Sequence, residues 1–281
     1  MNLAGINMDP SDVNEALASL RAVSDRLRAE GDPRAIFPDI YSVITATVAH
    51  EIAGDTGFFQ EPAFISRLAS RFAKRYLETL SWSLEGQTQD CSAWAFAYSY
   101  VHVEGTLPIQ HAALAISAHI NFDLALGLHN TIRELGGAAD PERLARYKHD
   151  HDAVNELLAA SLEEALQRLL GRYDCRVTEH LTGRLRPWAC RRMLATLASW
   201  RAVVWDDVLD MLAAEGGAVR ELVLQRMERR SRRIGYQLSR MNALGLVVRI
   251  LHPLEPLLGH SHPREAARGV ACESNSAAWT N

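Results

Sequence analysis

The sequence predicts an all-α protein, a single multi-helix bundle built around a buried central helix. Apolar residues recur at helical spacing along nearly the whole chain, the breaks fall at glycine and proline, and no convincing β-strand pattern is present. The helical period is clear after Pro62, in a run of apolar residues spaced four apart: Phe64, Leu68, Phe72 and Tyr76. A proline at the first position and this spacing together indicate the start of a helix.

The same pattern predicts helices at residues 11–30, 37–53, 62–82, 91–103, 109–136, 141–171, 188–214 and 218–250. Turn-forming residues separate them, as at Gly136-Gly137. None of these breaks resembles a long linker. The sequence therefore predicts one domain over residues 1–252, followed by a loosely held tail over 253–281.

Composition excludes several classes of protein. The chain is 48% hydrophobic and 23% charged, which is typical of a globular protein and not of a disordered or fibrous one. A net charge of −4 gives no bulk attraction to nucleic acid or anionic lipid. The four cysteines form no CxxC pair, the first residues lack a signal-peptide pattern, and the apolar stretch 112–128 is interrupted by polar residues. These observations favour a soluble, cytoplasmic protein.

The segment from residue 111 to 135 carries most of the chemical information. A helix that is apolar on nearly every side is expected in the middle of a bundle, yet this one contains His119, Asn121 and Asp123. An unpaired carboxylate in an apolar interior is costly, so Asp123 must meet a cation, a metal or hydrogen-bond donors. Residues four apart share one face of a helix, and we expect His119 and Asp123 to be buried within about 4 Å of each other or of one partner.

Three interpretations of this segment are open. His119 and Asp123 could form a structural pair that fixes helix packing. They could instead form a catalytic or metal site, with Asn121 as a further catalytic candidate. The third interpretation is a ligand pocket in which these groups serve only as hydrogen-bond partners.

The stretch Ala118-His119-Ile120-Asn121-Phe122-Asp123-Leu124 resembles the signature of an uncharacterised bacterial all-helical family, whose members carry an AHIN(F/Y)DL helix. Supporting matches lie at 41–45, 59–62, 72–76, 91–94, Asp150, Val154, Asn155, Arg201 and Trp205. They span roughly residues 40–210. The resemblance implies a helical fold and brings no known activity.

A shorter resemblance concerns the zinc-dependent phospholipases C and P1-type nucleases, which bind zinc through His-x3-Asp-x5-His. His119, Asp123 and His129 match this spacing. The Gln-Pro of that family is replaced here by Leu126-Gly127, and its N-terminal tryptophan ligand has no counterpart. On an unbroken helix His129 would also point about 120° away from Asp123. The resemblance implies zinc as the metal.

Further metal ligands are expected from residues 147–152, which offer imidazoles and carboxylates. The short turn at Gly136-Gly137 is expected to send the next helix back alongside the central one, about 8–10 Å away. Asp150 is the residue of this segment expected to face inward. The predicted metal ligands are therefore His119, Asp123, Asp150 and His129. The structural alternative is a solvated first turn, where aspartates are favourable anyway.

Three residues are candidates for binding a substrate. Arg201 could hold an anionic group bidentately, and Trp94 and Trp205 are expected in the core or in a pocket wall. The predicted helix over 220–249 carries eight arginines against two glutamates, which indicates either a solvated face or a surface that binds an anion or a partner.

The predicted function is that of a helical metal-dependent hydrolase-like or lyase-like enzyme, acting on a small or amphiphilic substrate in a pocket of the bundle core. The alternative is a non-metal helical enzyme or binding protein, such as a cyclase or tailoring component of small-molecule biosynthesis. In that alternative His119 and Asp123 are acid–base or orienting groups. A third possibility is an interaction protein that uses the basic helix. Neither a nucleic-acid partner nor stable membrane insertion is expected.

Overall fold

The computed structural model of the protein describes residues 3–87, 92–173, 186–214 and 217–240. Regular structure in these ranges is entirely helical, which confirms the predicted all-α bundle. Residues Met1–Met241 form one compact unit. The second unit, Asn242–Asn281, contains the predicted tail and the end of the last predicted helix, and it lies outside the described residues.

The helices have close to the predicted bounds. They are α1 (Val13–Ala29), α2 (Ile36–Gly54), α3 (Pro62–Leu84), α4 (Ser92–Ser99), α5 (Pro108–Ala118), α6 (Leu124–Glu134), α7 (Pro141–Arg172), α8 (Arg186–Ala213) and α9 (Gly217–Ser239). The largest difference within the described ranges is α4, which ends at Ser99 and not at residue 103. None of the described helices has both the length and the apolar character needed to cross a membrane.

Local chemistry explains where several helices begin. The Asp12 carboxylate accepts hydrogen bonds from the backbone amides of Asn14 and Glu15, so it caps α1. Proline stands in the first turn of α3, α5 and α7, where a missing amide hydrogen costs nothing. Asp140 caps α7 by accepting from the amide of Arg143.

The central helix of the prediction corresponds to α5 and α6, which lie inside the bundle as expected. α5 packs against α2, α4 and α9, whereas α6 packs against α3 and α8. Side chains along both helices are buried on several faces, including Leu114, Leu124, Leu128 and Ile132. This arrangement places the polar residues between α5 and α6 deep in the core.

The expectation that α7 returns alongside the central helix is wrong. α7 packs mainly on α2 and α8, since α3 and α8 already cover α6. The turn that redirects the chain depends on two glycines. Gly136 has a positive φ of 76°, and a Cβ on Gly137 would lie 2.4 Å from the Tyr147 ring. The helix packing that was expected to bring residues 147–152 close to His119 and Asp123 is therefore not present.

Candidate functional site

The central helix contains a π-helical turn between α5 and α6. This turn runs over His119–Asp123, the residues singled out in the sequence. From α9, Nη2 of Arg230 donates to the carbonyl of Asn121 at 3.3 Å and so supports the turn from outside. Single π turns inside α-helices are rare and occur frequently at functional sites.

His119 and Asp123 form a buried pair, as the sequence predicts. Nδ1 of His119 lies 3.0 Å from Oδ2 of Asp123, and the two residues are 3% and 0% exposed. Nε1 of Trp94 donates to the same carboxylate oxygen at 2.7 Å. Because an ionised carboxylate can only accept, Nδ1 of His119 carries the proton and Nε2 keeps its lone pair.

Aromatic rings surround His119 on several sides. Its imidazole stacks on the Phe72 ring, with centroids 3.4 Å apart and planes 7° from parallel. Tyr41 and Phe37 meet it edge-on at 4.8 and 5.2 Å. Burial in this setting lowers the pKa of His119, although the hydrogen bond that His119 donates to Asp123 opposes that shift. His119 is therefore neutral near pH 7.

Two polar atoms of the pair have no hydrogen-bond partner among the described residues: Nε2 of His119 and Oδ1 of Asp123. Nε of Arg75 lies 3.8 Å from Oδ1 of Asp123, which is within ion-pair distance but too far for a hydrogen bond. Buried polar atoms in proteins are nearly always paired. The free Nε2 therefore calls for an explanation.

A cavity of about 120 Å³ lies beside His119. Side chains from α2, α3, α5, α6, α7 and α8 form its wall, and nearly all of them are apolar. Among the polar residues in the wall, Thr45 already donates to the carbonyl of Tyr41 at 2.9 Å. His119 and Arg201 are the lining residues whose buried nitrogens lack a partner in the part of the chain that the structure describes.

Arg201 reaches this cavity from α8 and is 5% exposed. Its Nη2 donates to the carbonyl of His151, and its Nε has no acceptor among the described residues. Burial lowers the pKa of Arg201 to about 10, with Asp152 opposing the shift, so the guanidinium remains charged at pH 7. An apolar cavity thus has one buried cation in its wall.

The other predicted metal ligands lie elsewhere. Both oxygens of Asp150 accept backbone amides at the start of α3, from Gln60 at 2.8 Å and from Glu61 at 2.6 Å. Nδ1 of His129 lies 3.1 Å from Oδ1 of its neighbour Asn130. Within the described ranges, no group of three or more His, Cys, Asp or Glu side chains is placed to hold a metal ion. The structure therefore brings together His119 and Asp123, without Asp150 or His129.

The remaining candidates are also distributed over several places. The Nδ2 of Asn121 donates back to the carbonyl of Ser117 at 3.1 Å, inside its own helix. Trp205 packs on His151 with ring centroids 5.2 Å apart and does not line the cavity. Trp94 donates a hydrogen bond to Asp123 and is not a lining residue either. Of the three predicted substrate-binding residues, Arg201 is the one in the cavity wall.

Part of the basic surface on α9 forms ion pairs with carboxylates of α8. Arg226 binds Asp207 at 2.8 Å and Asp210 at 2.6 Å, and Arg230 also pairs with Asp207. These contacts join α9 to α8. They give at least two of the arginines a structural role.

Sequence reasoning missed the aromatic environment of His119 and the contact of Arg75. Phe72 and Tyr76 were identified as part of a helical stripe and of the matched segment 72–76, and Arg75, in the same segment, was given no role. The available signal was that Arg75 lies between two residues of that stripe on α3. A cation adjacent to a core stripe can reach a buried carboxylate on a facing helix.

Comparison with known proteins gives a family without an activity. The model of a family of unknown function (DUF5995) matches residues 13–241, which confirms the resemblance to an uncharacterised family. The resemblance to phospholipase C and P1-type nuclease gains no such support. No curated protein and no solved structure matches the chain.

Proposed function

Because the chain belongs to this family of unknown function, we propose its function from the site itself. The protein binds a small, largely apolar molecule in the core cavity, and neutral His119 accepts a hydrogen bond or a proton from it. One observation carries the proposal: Nε2 of His119 is buried without a partner in the described part of the chain, in the wall of an apolar cavity. Such cavities with a few polar groups are the usual form of a small-molecule site.

The contacts of Asp123 support a role for His119 as a base. The carboxylate holds Nδ1 of His119 at 3.0 Å and fixes the tautomer that leaves Nε2 free. If Nε2 takes a proton, the same carboxylate stabilises the imidazolium that forms. Trp94 keeps the carboxylate oriented through its 2.7 Å hydrogen bond. This arrangement supports a non-metal enzyme or binding protein in which His119 is the base and Asp123 and Trp94 are positioning residues.

The cavity limits the size of the ligand. At about 120 Å³ it is of the order of the engineered cavities of about 150 Å³ that bind benzene. A single ring or a short branched chain fits such a volume. A small-molecule ligand and a cytoplasmic location are both parts of this proposal.

We predict that the protein binds phenol more tightly than toluene. The two probes have nearly the same shape, but only phenol can donate a hydrogen bond to Nε2 of His119. One neutral hydrogen bond corresponds to a preference of roughly two- to tenfold. Replacing His119 with leucine should abolish this preference and leave toluene binding intact. Protein-observed NMR titrations measure both affinities.

The control is His50→Leu, the same substitution at an exposed position of α2. It should keep the preference for phenol. The proposal fails if neither probe binds the wild-type protein, or if the preference for phenol persists in His119→Leu.

A metal-dependent hydrolase or lyase is the second candidate. The observation in its favour is that an imidazole and a carboxylate, both zinc ligands, lie 3.0 Å apart. A bound metal would stabilise the folded state, so a chelator would lower the melting temperature. The non-metal function predicts no such shift and less than about a tenth of an equivalent of transition metal in the purified, untagged protein. Elemental analysis with chelator melts decides between the two candidates.

A further inference from the structure

We propose that the ligand of this cavity carries a carboxylate and that Arg201 binds it. This inference rests on the proposed function, because it takes the same cavity as the binding site. It adds the chemical class of the ligand: an apolar body with one anionic group. The argument depends on Arg201 and on the charges near it.

Arg201 is the one arginine that is buried among the described residues. Two partly buried arginines have carboxylate partners, Arg34 in Asp32 and Arg230 in Asp207, whereas the partly buried Arg143 donates to the carbonyl of Leu135. Arg201 has no carboxylate within ion-pair distance in the described ranges, and its contact through Nη2 is with a neutral carbonyl. Buried charges in proteins are usually paired or bound to a ligand, since removing an unpaired charge from water is costly.

The nearest acidic candidate is engaged elsewhere. Asp152 binds Lys148 and approaches Nδ1 of His151 at 3.2 Å, and its side chain is half exposed. It stabilises the charge on Arg201 only at a distance. The guanidinium of this lining residue therefore keeps an Nε–H without a partner among the described residues.

The rest of the cavity is compatible with an anion. The other lining residue with an unpartnered nitrogen is His119, which is neutral and does not compete as a cation. The carboxylate of Asp123 is held by His119 and Trp94, with Arg75 close by, so its charge is compensated. A planar guanidinium matches a carboxylate in geometry and binds it more specifically than an ammonium group does.

The test compares benzoate with benzamide, two probes of the same shape that differ in charge at pH 7. Wild-type protein should bind benzoate at least about tenfold more tightly, because a hydrogen bond to a charged group is stronger than one to a neutral group. Arg201→Met should remove this preference, and Arg201→Lys should retain only part of it. Arg191→Met is the matched control, since Arg191 is exposed on the same helix.

Toluene binding by Arg201→Met shows that the cavity is intact in the variant. A second measurement needs no variant: in wild-type protein, benzoate should shift the Arg201 Nε–H resonance and benzamide should not. Equal affinities for the two probes, a preference that survives in Arg201→Met, or an unshifted resonance would overturn the inference.

These outcomes are distinct from those that test the proposed function. If toluene and phenol bind as predicted but benzoate shows no advantage, the cavity function stands and the carboxylate is rejected. If benzoate binds through Arg201 and phenol shows no dependence on His119, the carboxylate stands and the role of His119 is rejected.

Discussion

Replacing Asp123 with alanine is expected to lower the free energy of unfolding by about 3 kcal/mol. The substitution removes the acceptor of two buried donors, Nε1 of Trp94 at 2.7 Å and Nδ1 of His119 at 3.0 Å. Each buried donor without a partner costs about 1–3 kcal/mol. Removing the buried carboxylate also relieves its desolvation, so the net loss is smaller than the sum of the two hydrogen bonds.

Asp152→Ala is the control for this experiment. Its carboxylate is about 50% exposed and pairs with Lys148 on the surface of α7, where such pairs contribute less than about 1 kcal/mol. Thermal melts should show a fall of roughly 5–10 °C for Asp123→Ala and of at most about 3 °C for Asp152→Ala. Equal shifts in the two variants would mean that the His119, Asp123 and Trp94 contacts do not stabilise the core.

The helices were predictable because their signals are local. Apolar residues at intervals of four, with proline in the first turn and glycine after the last, determine most of the bounds. The π turn at His119–Asp123 was not predictable in this way. Single π turns occur inside α-helices, and the contact that supports this turn comes from Arg230, 109 residues after Asn121.

The candidate site was predictable only where its residues are near in sequence. His119 and Asp123 lie four residues apart, so helical geometry alone predicts their contact. Trp94 and Phe72 reach the pair from α4 and α3, and sequence spacing contains no information about such contacts. Arg201 was recognised as an anion-binding candidate, but its place in the cavity wall depends on how α8 packs.

Asp150 shows how a correct expectation about burial can accompany an unexpected set of partners. It faces inward, as predicted, and is fully buried. Its partners are the amides of Gln60 and Glu61 at the beginning of α3, whose partial positive charge attracts a carboxylate as the charge of a metal ion would. The amino-acid type is the same in both cases, so only the fold distinguishes a helix cap from a metal ligand.

Lowering the pH from 7 to 5 is expected to destabilise the protein by about 2 kcal/mol through His151 alone. Burial, together with the nearby Arg201, lowers the pKa of His151 to about 3, whereas the unfolded residue has a pKa near 6.5. Between these values the unfolded chain binds a proton that the folded chain does not. Stability therefore falls as the pH falls through this window. The lowered pKa of His119 acts in the same direction.

His151→Gln should reduce this pH dependence by about 2 kcal/mol between pH 7 and pH 5, whatever its effect on stability at pH 7. Urea unfolding at several pH values measures the slope. His149→Gln is the control, because its side chain is 53% exposed two residues earlier on α7. It should change the slope less than His151→Gln does. If wild type and His151→Gln lose stability in parallel, His151 is not the buried neutral group that its contacts with Arg201 and Trp205 require, and the charge balance inferred for the cavity wall is wrong with it.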